Sequence, residues 1–270
     1  MRTIVHLSDL HFGRVEAALL APLTARVRAL APHLVVVSGD LTQRAKVPEF
    51  EQARRFLDAL PKPHVVVPGN HDVPLYNVFE RFFRPLDKFA RYISRELEPA
   101  HVDGEIAVLG VNTARSGVFK GGRINEEQIA RLQDVLCRLP AEVTKIVVTH
   151  HPFDLPPGHD SRQLVGRAKK AMQMFARCGA DILLSGHLHA SHASDTRLRY
   201  KIGDFAALVV QAGTATSTRG RGEANSFNVV TVDHPRVRVE RFAWTGADFA
   251  PQDAAAYEHT SQGWRKIDGK

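Results

Sequence analysis

"LSDLHFGR" (residues 7–14) closes the first apolar run of the chain, TIVHL at 3–7, and places Asp9 and His11 two residues apart where a strand should end. Alone, the stretch decides little, because an Asp-x-His is more often a turn or a helix cap than a pair of ligands. Its meaning depends on whether other strand ends repeat it. They do. LVVVS (34–38) runs into Gly39-Asp40, HVVVP (64–68) into Gly69-Asn70-His71-Asp72, KIVVT (145–149) into His150-His151, and DILLS (181–185) into Gly186-His187 and His189.

These runs are continuous rather than alternating, as in strands covered on both faces. IAVLGV (106–111) is a further one, and helical patterns at 16–31, 49–60, 76–97, 125–139 and 161–178 separate them. Asn125, followed by Glu126, Glu127 and Gln128, is a good helix start. From about 190 the rhythm turns to strands without helices: SHASDTRL, FAALVVQAG, SFNVVTVD and RVRVERFAW. The expectation is an α/β chain built as a four-layer αββα sandwich, two facing mixed sheets flanked by helices. Residues 1–244 are expected to form the domain and 245–270 a polar C-terminal tail anchored by Trp264.

The composition is globular, 44% hydrophobic and 24% charged over 270 residues, long enough for a large core. No apolar run approaches the ~18 residues of a membrane span. MRTIVHLSDL lacks the features of a secretory leader, so a cytoplasmic protein is expected. Cys137 and Cys178 match no metal or redox spacing and are expected as reduced, buried thiols. Met172, Met174 and Phe175 are expected in the core. The net charge of +7 favours anionic partners, but it is scattered, with no dense Lys/Arg block, and nucleic acid is not favoured. A homo-oligomer is left open.

In a parallel sheet the carboxyl ends of strands share one edge, where ligand sites form. Asp9, His11, Asp40, Asn70, His150, His187 and His189 would converge there, offering three oxygens and four imidazoles with no thiolate. That set suits Mn²⁺, Fe²⁺/Fe³⁺ or Zn²⁺. Seven ligands exceed one tetrahedral site but serve two ions if a carboxylate bridges. Paired ions ~3.5–4 Å apart can clamp the attacking and leaving oxygens of an in-line phosphoryl displacement.

In these motifs the chain resembles the calcineurin-like metallophosphoesterase superfamily. Its series D-x-H, GD, GNH(D/E), H and GHxH stands here in order as "DLH" (9–11), "GD" (39–40), "GNHD" (69–72), "THHP" (149–152) and "GHLH" (186–189). The resemblance implies that Asp9, His11 and His189 hold one metal, that Asp40 bridges, and that Asn70, His150 and His187 complete the second. His150 is preferred to His151 because the family ligand precedes an x-Pro pair. His71 would stabilise the transferring phosphoryl group or protonate the leaving oxygen, and Asp72 would orient His71. His151 is left between a supporting contact and a substrate contact.

The stretch "GTATSTRGRGEANSFNVV" (213–230) is similar to bacterial cyclic-nucleotide phosphodiesterases of the superfamily, with Arg219 and Arg221 as candidate phosphate contacts. What the resemblance implies is a dinuclear-metal phosphodiesterase acting on small phosphodiesters or nucleotides, 3′,5′-cyclic nucleotides among them, by in-line attack of a metal-bridging hydroxide. The alternatives are a UDP-diacylglucosamine pyrophosphohydrolase, for which no lid insertion is visible, a DNA nuclease, and a binding scaffold that has lost its ligands. The complete ligand series counts against the last.

Overall fold

The structure is a computed structural model and describes residues 1–117, 121–219, 222–260 and 263–267. Its elements run β1 (Arg2–Leu7), α1 (Ala17–Ala29), β2 (Leu34–Val37), α2 (Val47–Ala59), β3 (His64–Val66), α3 (Val78–Phe83), α4 (Asp87–Tyr92), β4 (Ala100–Val102), β5 (Ile106–Gly110), α5 (Glu126–Leu136), β6 (Thr144–Val148), α6 (Ala168–Cys178), β7 (Ile182–Ser185), β8 (His192–Asp195), β9 (Leu208–Gln211), β10 (Ser226–Asp233), β11 (Arg236–Trp244), β12 (Phe249–Thr260) and β13 (Gly263–Ile267).

The strands form two mixed sheets, ordered β13-β12-β11-β10-β1-β2-β3 and β4-β5-β6-β7-β9-β8. Side chains alternate across each strand, and the alternation sorts the core into three layers. Ile4, Leu34 and Val36 point between the sheets, where they meet Val108, Ile146 and Leu184. Their neighbours Val5, Val35 and Val37 point outward onto Leu23 of α1 and Phe50 and Phe56 of α2. On the other side Val147 and Leu183 pack on Leu132 of α5 and on Met172, Met174 and Phe175 of α6. Three apolar layers between four layers of elements make the expected αββα sandwich. Within it β1, β2 and β3 are parallel, as are β5, β6, β7 and β9. The carboxyl ends of β1, β2, β3, β6 and β7 carry the motif residues.

Several expectations change. The stretch expected as a tail from 245 is instead the outer two strands of the seven-stranded sheet. Four successive exposed residues of β12, Pro251–Ala254, break the alternation of a half-buried strand, and Trp264 of β13 is 2% exposed, its Nε1–H donating to the Asp181 carbonyl at 2.9 Å. The helical stretch 76–97 is broken into α3 and α4 by Pro85, which can supply no backbone N–H. The expected helix from 161 begins at 168, after Gly166 and a left-handed Arg167 at φ 67°. Asn125 does start α5, its Oδ1 accepting from the Gln128 N–H at 2.7 Å while Gln128 Oε1 accepts from the Asn125 N–H at 2.8 Å. Cys137 and Cys178 are not free thiols: they form a disulfide that ties the ends of α5 and α6.

Candidate metal centre

Five of the seven expected ligands stand on unusual backbone. Asp9, His11, Asp40, His187 and His189 have φ of 53°, 49°, 53°, 71° and 58°. A non-glycine residue in this left-handed region costs on the order of 1–3 kcal/mol. The cost is met because the chain must turn sharply off each strand end to aim these side chains at one point. Gly186 is needed for close approach: a Cβ there would collide with Ser8 Oγ and lie 2.5 Å from Asp9 Oδ2. Gly69 is held in the same way against Asp40.

The converging atoms form two groups. In the first, His189 Nε2 lies 3.2 Å and His11 Nε2 3.6 Å from Asp9 Oδ1, and the two imidazole nitrogens are 3.3 Å apart. In the second, His150 Nε2 is 3.1 Å from Asn70 Oδ1 and 3.3 Å from His187 Nδ1. Asp40 Oδ2 stands between them, 3.7 Å from His11 Nε2 and 3.3 Å from His150 Nε2. Two donors about 2.0–2.1 Å from one tetrahedral ion would be about 3.3 Å apart. The donors are spaced as ligands of one ion would be. Asp9 Oδ1, wholly buried, has no hydrogen-bond partner among the described residues, and the set of oxygens and imidazoles fits hard or borderline cations. Main-chain carbonyls take the far nitrogens of two rings: His150 Nδ1 donates to Ser38 O at 2.8 Å and His189 Nδ1 to Arg219 O at 3.1 Å. Each ring thus turns its Nε2 lone pair to the centre.

The charges agree with this geometry. Burial alone would raise the Asp9 carboxyl, but His189, helped by His11, holds it well below the usual range. Asp40 is lowered too, its burial outweighed by His150. Burial would also lower His150, yet Asp40 pushes it up to about 9.

A cavity of about 310 Å³ opens onto the centre, lined by Asp40, Asn70, His71, His187, His189 and Arg219. Gln43, Arg44, Arg81 and Gln163 also line it and were missed in the sequence. Arg219 reaches the cavity because its segment is fastened to the Asp9 loop, with Thr214 Oγ1 donating to Asp9 O and Thr216 Oγ1 to Leu10 O, both at 2.7 Å. Arg221 lies outside the described residues. His151 is fully buried beneath the centre, its Nδ1 2.8 Å from Thr113 Oγ1, and it is not part of the cavity wall. Burial and the neighbouring His187 hold it well below the usual imidazole range.

The expected Asp72–His71 pairing is absent. The Asp72 carboxylate accepts from the backbone N–H groups of Leu41, Thr42 and Gly69 at 3.2, 2.9 and 2.9 Å, and from Thr42 Oγ1 at 2.9 Å. It fastens two loops together. His71 is oriented instead by Gln43, whose carbonyl accepts from Nδ1 at 2.9 Å. A main-chain acceptor leaves no mark in a sequence motif.

Residues 2–191 match the calcineurin-like phosphoesterase family model. The chain belongs to the calcineurin-like phosphoesterase family. Like others of this family it is a metal-dependent phosphoric ester hydrolase. It is 24% identical over 212 residues to the glycerophosphodiester phosphodiesterase GpdQ of Enterobacter lignolyticus, covering 71% of this chain and 75% of that protein. It is 26% identical over 205 residues to the 3′,5′-cyclic adenosine monophosphate phosphodiesterase CpdA of Escherichia coli K12, 69% of each chain. Among solved structures, a dimetal phosphatase from Danio rerio aligns with a TM-score of 0.64 at 13% identity, over 93% of this chain and 98% of that one. That likeness shows the two-sheet fold.

Proposed function

We propose that the protein is a dinuclear-metal phosphodiesterase of small phosphodiesters, with 3′,5′-cyclic nucleotides and glycerophosphodiesters as the classes to test first. The observation that carries this reading is Asp40 Oδ2, set between His11 Nε2 and His150 Nε2 so that one carboxylate joins two ligand groups. In this reading Asp9, His11 and His189 hold one ion and Asn70, His150 and His187 the other, with Asp40 shared. Bound there, the two ions would polarise the phosphoryl oxygens and make hydroxide accessible near neutral pH. The names of the GpdQ and CpdA relatives support a diester.

The chain's own groups supply the rest. Arg219 donates to a non-bridging phosphoryl oxygen, which takes it from His71. The substrate's negative charge then favours the protonated ring, and His71, held by Gln43, presents Nε2–H to the leaving oxygen. His151 acts by supporting His150 and His187 from below. No helix among the described residues is long and apolar enough to cross a membrane. The expected cytoplasmic place stands against the Cys137–Cys178 bond, because mesophilic cytosol keeps such pairs reduced.

The test is a screen of metal-reconstituted protein on 3′,5′-cAMP, glycerophosphoethanolamine, bis(p-nitrophenyl) phosphate and p-nitrophenyl phosphate. Faster turnover of the diesters supports the reading; turnover of the monoester alone rejects it.

A further inference from the structure

Helix α3 is built inside out. At 100° per residue, Val78, Phe82, Phe79 and Phe83 cover about 140° of one face, and Arg81 lies opposite. A surface helix ordinarily buries such a face. Here the phenylalanines at 79, 82 and 83 are 62%, 55% and 73% exposed, and Tyr76 just before them is 75% exposed. Arg81 is the buried residue, and its Nη1 donates to the Pro74 carbonyl at 3.0 Å. A contiguous exposed aromatic patch of this kind marks an interaction surface.

Charge indicates what covers it. Beside α3 runs a groove of about 500 Å³ lined by Glu80, Arg84, Asp87, Lys88, Arg91 and Arg95. Lys88 pairs with Glu80 and Arg84 with Asp87, while Arg91 and Arg95 have no carboxylate partner among the described residues. The patch is therefore apolar on the helix and cationic along its flank, on a chain of net charge +7. A two-fold contact between copies would set this cationic flank against itself. An anionic bilayer satisfies both halves, with aromatic rings at the acyl boundary and arginines among the headgroups. The patch also adjoins the metal cavity. Arg44 and Arg81 line that cavity, and the Arg44 guanidinium lies 5.4 Å from the centre of the Tyr76 ring.

We propose that α3 and the groove beside it form a docking surface for an anionic lipid membrane, which would bring the mouth of the metal cavity to the bilayer. The surface is independent of which ester the centre cleaves.

The test is flotation of the full chain with vesicles of phosphatidylcholine alone and of phosphatidylcholine mixed with phosphatidylglycerol, at low and high salt. The chain should float with the mixed vesicles at low salt, less at high salt, and not with the neutral ones. The triple variant Phe79→Ser/Phe82→Ser/Phe83→Ser and the double variant Arg91→Glu/Arg95→Glu should each bind about tenfold or more weakly. Both should keep the wild-type melting curve and the wild-type rate on soluble bis(p-nitrophenyl) phosphate. Absence of flotation, equal binding to neutral vesicles, or unchanged binding by both variants overturns the proposal. So does a wild-type dimer that the triple variant dissociates, which would assign the patch to a second copy.

Discussion

Arg219 Nη1 lies 3.0 Å from His71 Nε2, while the Nδ1–H on the far side of the same ring donates to the Gln43 carbonyl at 2.9 Å. The ring is thus held neutral with its lone pair facing the cavity. Burial, then His11 and in smaller part Arg219, keep His71 below the ordinary imidazole range against the pull of Asp40. In the proposed function an anionic substrate separates the arginine from the histidine.

Removal of the arginine should therefore have two effects. Arg219→Ala loses a charge-assisted contact of about 1.5–3 kcal/mol, a roughly 10- to 100-fold fall in kcat/KM on bis(p-nitrophenyl) phosphate. It also raises the pKa of His71 in the free protein, which NMR titration of the imidazole reads. Arg219→Lys should restore part of the first effect. An unchanged kcat/KM removes Arg219 from the site.

Asp40 should matter to metal content more than any single ligand beside it, because it faces both groups. Asp40→Ala should bring the ions held per chain from about two to below one, whereas Asn70→Ala should keep about one. Metal analysis after gel filtration distinguishes the two. Equal losses contradict the bridging role.

Binding of the ions should release protons. His150, pushed up to about 9 by Asp40 against the effect of burial, is protonated in the metal-free protein between its ordinary 6.5 and about 9. A ligating imidazole must be neutral, so metal affinity should rise with pH through that window. The sign for the metal-free fold is the opposite: a raised histidine contributes stability that is complete below 6.5 and lost as pH rises through about 9. Calorimetry of Mn²⁺ binding in two buffers of different ionisation enthalpy measures the release. Affinity that stays flat across the window counts against His150 as a ligand.

The Cys137–Cys178 bond closes a loop of 41 residues, worth about 4 kcal/mol if chain entropy alone acts. It joins the C-terminal ends of α5 and α6, and neither cysteine lines the cavity. Cys137→Ser should lower Tm and leave kcat/KM of the folded enzyme unchanged.

Much of this was legible in the sequence because strand ends are where apolar runs stop, and a stop filled five times with Asp, Asn or His is visible without coordinates. Asp9, His11, Asp40, Asn70, His150, His187 and His189 meet for that reason. What stayed hidden belongs to the main chain or to context. The carbonyl of Gln43 that orients His71 carries no side-chain signal, and Asp72 beside His71 in sequence turns away from it in space. Arg44 and Gln163 line the cavity from positions outside the five motifs, Arg44 four residues beyond Asp40 in the same loop. The helical pattern at 76–97 carries no mark that the apolar face of α3 is exposed. β12 was obscured because its central residues Pro251–Ala254 are exposed and lack the β-branched character of a buried strand.

The central claim is that two ions, joined through Asp40, are needed for turnover. Its most direct measurement is a titration of chelator-stripped protein with Mn²⁺, following hydrolysis of bis(p-nitrophenyl) phosphate. The activity should be absent at the start and saturate at about two equivalents per chain. Full activity with EDTA present, or saturation at a single equivalent, would contradict it.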